Sequence, residues 1–192
     1  MNNKKTVNLK LIILGDKGIG KTTLINNYLQ LPNSNKDNKD NKDKKDKERE
    51  KYVFLQEIDS AQLKITIYEF SEKNEKLTKD INDCHCVLII FDMANRKSFE
   101  NLLDNWLLYL RDICHYKGLV FIFGNHVSKS QPLMTDEDEI KEMIKVSEVE
   151  CQFYNIGKNE TFENNDIINK LIGDAFELSK NSNLNKKDCV IF

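Results

Sequence analysis

The nine residues GDKGIGKTT, Gly15 to Thr23, carry the most readable chemistry of the chain. Gly15, four further residues, then Gly20, Lys21 and Thr22 match the spacing of a phosphate-binding loop. Glycines let the backbone curl so that its N–H groups face phosphate oxygens, and the helix that follows adds partial positive charge. Lys21 supplies a cation for terminal phosphates and Thr22 a hydroxyl for magnesium. Asp16, Lys17, Gly18, Ile19 and Thr23 complete the expected cofactor-binding stretch, although Asp16 and Lys17 are not diagnostic.

Such a loop works only between a strand and a helix. VNLKLIILG, Val7 to Gly15, is short, apolar and ended by glycine, which predicts a buried strand. Leu24, Ile25, Tyr28 and Leu31 recur at helical spacing from about Gly20 until Pro32 stops them. From Asn33 to Lys51 the chain turns to Asn, Lys, Asp and Glu in a loose NKD repeat, which predicts a mobile surface insert. Two strand-like runs, Tyr52 to Ile58 and Leu63 to Phe70, flank a DSAQ turn and predict an antiparallel hairpin.

A short helix or loop is expected between Ser71 and Asp83, then a buried strand from Cys84 to Asp92. Ser98 is the expected cap of an amphipathic helix burying Phe99, Leu102, Leu103, Trp106, Leu107, Leu110 and Ile113. GLVFIFGN is the next strand; Thr135 and the acids after it start a helix carrying Ile140, Met143 and Ile144. Cys151 to Asn155 forms a last strand and Phe162 to Leu178 a last helix. This alternation predicts an α/β domain over residues 1–180, with a mostly parallel six-stranded sheet, one antiparallel edge strand and helices on both faces. Ligands of such sheets lie at the carboxyl ends of the strands, where Gly15, Glu69 or Phe70, Asp92, Asn125 and Asn155 to Lys158 are expected to gather.

With the loop in this setting, the chain resembles the Ras superfamily of small GTPases, its Rab branch in particular, over nearly its whole length. FDMANRKSFENL, Phe91 to Leu102, is similar to the Rab segment after the fourth strand, and Trp106 stands where those proteins carry a tryptophan. GNHVS, Gly124 to Ser128, occupies the guanine-recognition position, and IGK, Ile156 to Lys158, that of the Ser-Ala-Lys loop. The resemblance implies a P-loop NTPase fold that binds GTP or GDP with magnesium. It assigns nucleotide contacts to the loop and to Asn125, His126, Gly157 and Lys158, and magnesium to Thr22 and Glu69.

Three features of the family pattern are altered. No threonine lies between Thr23 and Thr66, so the first switch loop has none to clamp the γ-phosphate. The second switch, Asp-x-x-Gly-Gln in the family, reads Glu69, Phe70, Ser71, Glu72, Lys73, and no glycine at all occurs between Gly20 and Gly118. Glu69 keeps a carboxylate that could reach magnesium through water or could be only a strand-end acid. The guanine motif Asn-Lys-x-Asp reads Asn125, His126, Val127, Ser128. Losing a charge-assisted pair worth roughly 1.5–3 kcal/mol implies binding weaker by about one to two decades and less selective for guanine. His126 either stacks on the base or is simply solvated.

The chain ends Cys189, Val190, Ile191, Phe192 after a polar tail, 181–192, which matches a prenylation signal favouring geranylgeranyl. A single lipid, with Lys186 and Lys187 as a thin basic supplement, predicts reversible attachment to the cytosolic face of a membrane. The net charge of −2 argues against a nucleic-acid partner, and no apolar run reaches the roughly 20 residues of a membrane-spanning helix. Five scattered cysteines without a secretory signal are read as cytoplasmic thiols. The CHC run, Cys84 to Cys86, is not read as a zinc site, because strand alternation sets both thiols opposite His85. A nucleotide kinase would need arginine clamps, whereas Arg49, Arg96 and Arg111 lie far apart. Two expectations remain: a monomeric, prenylated module that binds guanine nucleotide weakly and meets effector proteins, or a divergent GTPase completed by partner-supplied groups.

Overall fold

The computed structural model describes residues 5–28, 50–58, 61–157 and 163–185. Six strands form one sheet: β1 (Lys5–Leu14), β2 (Glu50–Ile58), β3 (Ala61–Phe70), β4 (Cys86–Asp92), β5 (Leu119–Asn125) and β6 (Gln152–Asn155). Their order is β2-β3-β1-β4-β5-β6. Only the β2–β3 pair is antiparallel, so β2 is the expected antiparallel edge strand.

Burial on both faces explains why the central strands read as unbroken apolar runs. Leu9, Leu11 and Ile13 of β1 point with Leu88 and Ile90 of β4 into one core, shared with α1 (Lys21–Tyr28) and α5 (Glu163–Asn185). Ile12 and Leu14 point with Val87, Ile89 and Phe91 into the other. That second core is covered by α2 (Glu75–Asn82), α3 (Arg96–Asn101) with its continuation, and α4 (Glu137–Ser147). Each fully buried Leu, Ile or Phe contributes about 1.5–3 kcal/mol relative to exposure.

The third helix departs from its sequence reading at both ends. Its cap is Asn95, whose Oδ1 accepts from the Lys97 and Ser98 amides. Ser98 is not the cap: its buried Oγ accepts from the Asp92 amide at 3.0 Å, closing the end of β4. Beyond Asn101 the helix widens into π-wound turns, Leu102–Leu107 and Tyr109–Ile113. Each residue then turns less about the axis than a 3.6-residue period assumes. Trp106 and Leu110 stay buried, but Ile113 is turned out, 59% exposed.

Other boundaries also move. Glu50 and Lys51, read as part of the polar insert, are in β2, paired with Glu69 and Tyr68. Asp136, not Thr135, caps α4, its Oδ1 accepting from the Asp138 and Glu139 amides. Cys84 and Cys86 do not share a face: β4 starts only at Cys86, so Cys86 enters the α1/α5 core while Cys84 packs against the other. The rest of the insert from residue 33, Leu31 and the tail beyond residue 185 lie outside the described residues.

Candidate functional site

Strand register sets the site. It places Leu14 beside Phe70 and Ile89, Asp92 beside Asn125, and Gly124 beside Asn155, so the carboxyl ends of β1, β3, β4, β5 and β6 share one edge. There Gly15, Gly18 and Gly20 hold φ of 143°, 80° and 92°, the region that favours glycine. A Cβ on Gly15 would sit 2.2 Å from the Ile90 carbonyl oxygen, and one on Gly20 would sit 2.7 Å from Asn125 Nδ2. The loop is a tight backbone ring as well as a glycine-rich sequence.

Lys21 leads back into that ring. Only 3% exposed, its Nζ donates to the carbonyls of Gly15 at 2.9 Å and Asp16 at 2.7 Å, and to Ser71 Oγ at 2.8 Å. Burial pushes the ammonium below its ordinary pKa, while Glu69, 3.8 Å away, and Asp16 pull it back up. A phosphate would supply the same compensation more strongly. Thr22 Oγ1 donates to both carboxylate oxygens of Glu69, at 3.1 and 3.0 Å. Thr22 and Glu69, from opposite sides of the sequence insert, are thus in contact. Magnesium typically takes one or two protein ligands beside phosphate oxygens and water, and a hydroxyl and a carboxylate side by side fit it.

The next residues fit a γ-phosphate less well. Glu72 pairs with Lys17 of the loop, whose ammonium holds the Glu72 carboxyl below its usual range. Lys73 donates to Asn105 Oδ1 at 3.3 Å and lies over the Tyr109 ring. No glycine amide stands in this segment, and the side chain at the family's glutamine position is tied to the third helix.

At the base-recognition end, Asn125 is a tether. Its Nδ2 donates to the Ile19 carbonyl at 2.8 Å and its Oδ1 accepts from the His126 amide. The Asp92 carboxylate braces the same corner by accepting from Ala94 and Val127 amides. The half-buried His126 meets the Gln131 carbonyl through Nε2, so its ring is engaged by its own loop. Ser128 Oγ is bonded to Ser130 Oγ, and no carboxylate replaces the family's aspartate. Gly157 packs under this corner, where a Cβ would lie 2.7 Å from that of His126. Lys158 and Cys189 lie outside the described residues.

The Ras family profile matches residues 10–177, which include the loop, both altered motifs and all six strands at least in part. The chain belongs to the Ras family. Among its relatives, the GTP-binding protein yptV5 of Volvox carteri is 33% identical over 109 residues, 55% of this chain and 50% of that protein. Ras-related protein Rab-9B of Homo sapiens is 31% identical over 144 residues, 70% of this chain and 67% of that protein. This Ras-family chain is therefore Rab/Ypt-like, and it spans about half the length of the Volvox relative.

Sequence reasoning missed three members of the site. Ser71, the third partner of Lys21, stood in the altered switch, where only the lost glycine was informative. Asn101 anchors the loop from the third helix through Asp16 Oδ2 at 2.8 Å, and nothing in the sequence signals it. Tyr52 donates to Glu50 and, at 3.4 Å, to Glu69 Oε2. Its phenol is pushed upward by burial and by those acids.

Proposed function

We propose that this chain is a prenylated, Rab-like interaction module that holds a guanine nucleotide weakly, mainly through its phosphates, and hydrolyses GTP very slowly or not at all. The observation that carries the reading is the engagement of Ser71, Glu72 and Lys73 with Lys21, Lys17 and Asn105, where the family reads the γ-phosphate. Hydrolysis needs a group that orients water and donors that meet charge as it develops. A lysine bound to the third helix supplies neither. The glycine ring, Lys21, Thr22 and Glu69 fit a diphosphate with magnesium, and Asn125, His126, Gly157 and Lys158 are assigned to the base.

In this reading residues 1–180 are the nucleotide-binding domain and 181–192 the tail. Cys189 carries the lipid, and the protein works as a monomer at the cytosolic face of a membrane, where effector proteins meet it. Among the described residues no helix is long and apolar enough to cross a bilayer, so the lipid is the anchor in this account. Single-turnover GTP hydrolysis by the purified chain, beside Lys21→Ala, tests the proposal. Equal, background rates are expected; a rate typical of small GTPases that Lys21→Ala abolishes would overturn it.

A second reading, a divergent GTPase completed by partner groups, is supported by the direct Thr22–Glu69 contact, which keeps a magnesium site in place. A partner arginine can raise such rates by about 10³–10⁵. It does not replace the glycine amide.

A further inference from the structure

A second cavity, about 370 Å³, lies away from the phosphate loop, between the β5–α4 connection, the first turn of α4 and the end of β6. That is within the size range of small-ligand sites. Met93, Leu133 and Met134 line it with apolar surface, Thr135, Glu137 and Asn155 with polar atoms. Two of those atoms, Thr135 Oγ1 and Asn155 Oδ1, are buried without a hydrogen-bond partner. Thr135 is only 5% exposed. The Glu139 carboxyl is held below its usual range first by Arg96 and second by the Thr135 hydroxyl, yet that hydroxyl and carboxylate do not meet hydrogen-bond geometry.

The Asn155 amide is oriented by its surroundings. Its Nδ2 donates to Glu137 Oε1 at 3.4 Å, and a flipped amide would set oxygen against a carboxylate. Oδ1 is therefore the acceptor left on the wall. Buried polar atoms are costly unless something donates to them or accepts from them, so the wall is suited to a donor. An anion drawn to the start of α4 would meet the Asp136 carboxylate, which already accepts from the amides of Asp138 and Glu139 at 3.0 and 2.9 Å. Among the described residues no three His, Cys, Asp or Glu side chains group as a metal site requires. Water could satisfy the two oxygens but would leave the apolar half of the wall unmatched.

We infer that this cavity binds a small organic ammonium, its nitrogen donating to Asn155 Oδ1, Thr135 Oγ1 and the Glu137 carboxylate, its carbon chain lying on Met93, Leu133 and Met134. The site stands apart from the nucleotide reading and needs no nucleotide.

The test is amide NMR of the full-length purified chain titrated with n-butylammonium chloride, with sodium chloride and n-butanol as controls. Saturable shifts confined to residues 133–139 and 155 are expected with butylammonium, at an affinity at least about tenfold above that of butanol. Glu137→Gln should weaken butylammonium about tenfold, and Thr135→Val several-fold, with spectra otherwise unchanged. GDP should not compete. Equal shifts with butanol, a titration that never saturates, or full binding by Glu137→Gln would overturn the inference. If Thr135→Val does not fold, Glu137→Gln, at a less buried position, carries the same decision.

Discussion

Gly15 and Gly18 separate two roles that one residue type plays in the same loop. Both have positive φ, but a side chain on Gly15 meets the Ile90 backbone whereas nothing lies within 4 Å of one on Gly18. Gly18→Ala should therefore cost about 1–2 kcal/mol, the strain of a left-handed alanine alone. Gly15→Ala adds a collision with backbone that cannot swing aside, and its loss in denaturant melts should exceed that of Gly18→Ala by at least about 1 kcal/mol. At the thiols, burial raises the pKa of Cys84 and Cys151 to about 12, and those of Cys86 and Cys114 in the same direction. A raised pKa leaves less thiolate at a given pH, roughly one part in ten thousand at pH 8 for a pKa near 12. Mass spectrometry after iodoacetamide at pH 8 should find these four unmodified in native protein and all modified in guanidinium. Fast native labelling of Cys84 or Cys151 would contradict the burial.

Among the elements, the strands were legible because sheet burial on two faces forces continuous apolar runs, and VNLKLIILG or CVLIIF can be little else. The helix starts were less legible because Ser, Thr, Asn and Asp all cap, and which one does so depends on what the strand end leaves unpaired. Ser98 is taken by the Asp92 amide, which frees Asn95 to start the helix a turn earlier. Asn95→Ala should then cost about 1 kcal/mol, the ordinary loss of a cap. Ser98→Ala leaves a buried amide without a partner and should cost about 1–3 kcal/mol. A Ser98→Ala variant as stable as wild type in thermal melts would restore Ser98 to an ordinary helix position. Ile113 was misread for a related reason, since π winding is set by packing and not by residue type.

For the molecule as a whole, the phosphate loop was legible to the residue because its spacing is fixed by backbone geometry, while its state was not. That Lys21 has all three donors engaged by Gly15, Asp16 and Ser71 follows from contacts between residues 50 positions apart. The lipid signal belongs to this scale too. Chain modified with geranylgeranyl should partition onto vesicles reversibly and Cys189→Ser should stay in solution; vesicle binding by Cys189→Ser would remove the anchor from the account. The central claim is that the loop still holds phosphates but no longer distinguishes a third one. Titration calorimetry of the full chain with GDP and with GTP, each with magnesium, measures it directly. The account predicts binding of both, abolished by Lys21→Ala, with affinities equal within about threefold, since ligands without differential affinity shift no conformational equilibrium. A GTP affinity ten or more times that for GDP, about 1.4 kcal/mol, would contradict it and show that the altered switch still reads the γ-phosphate.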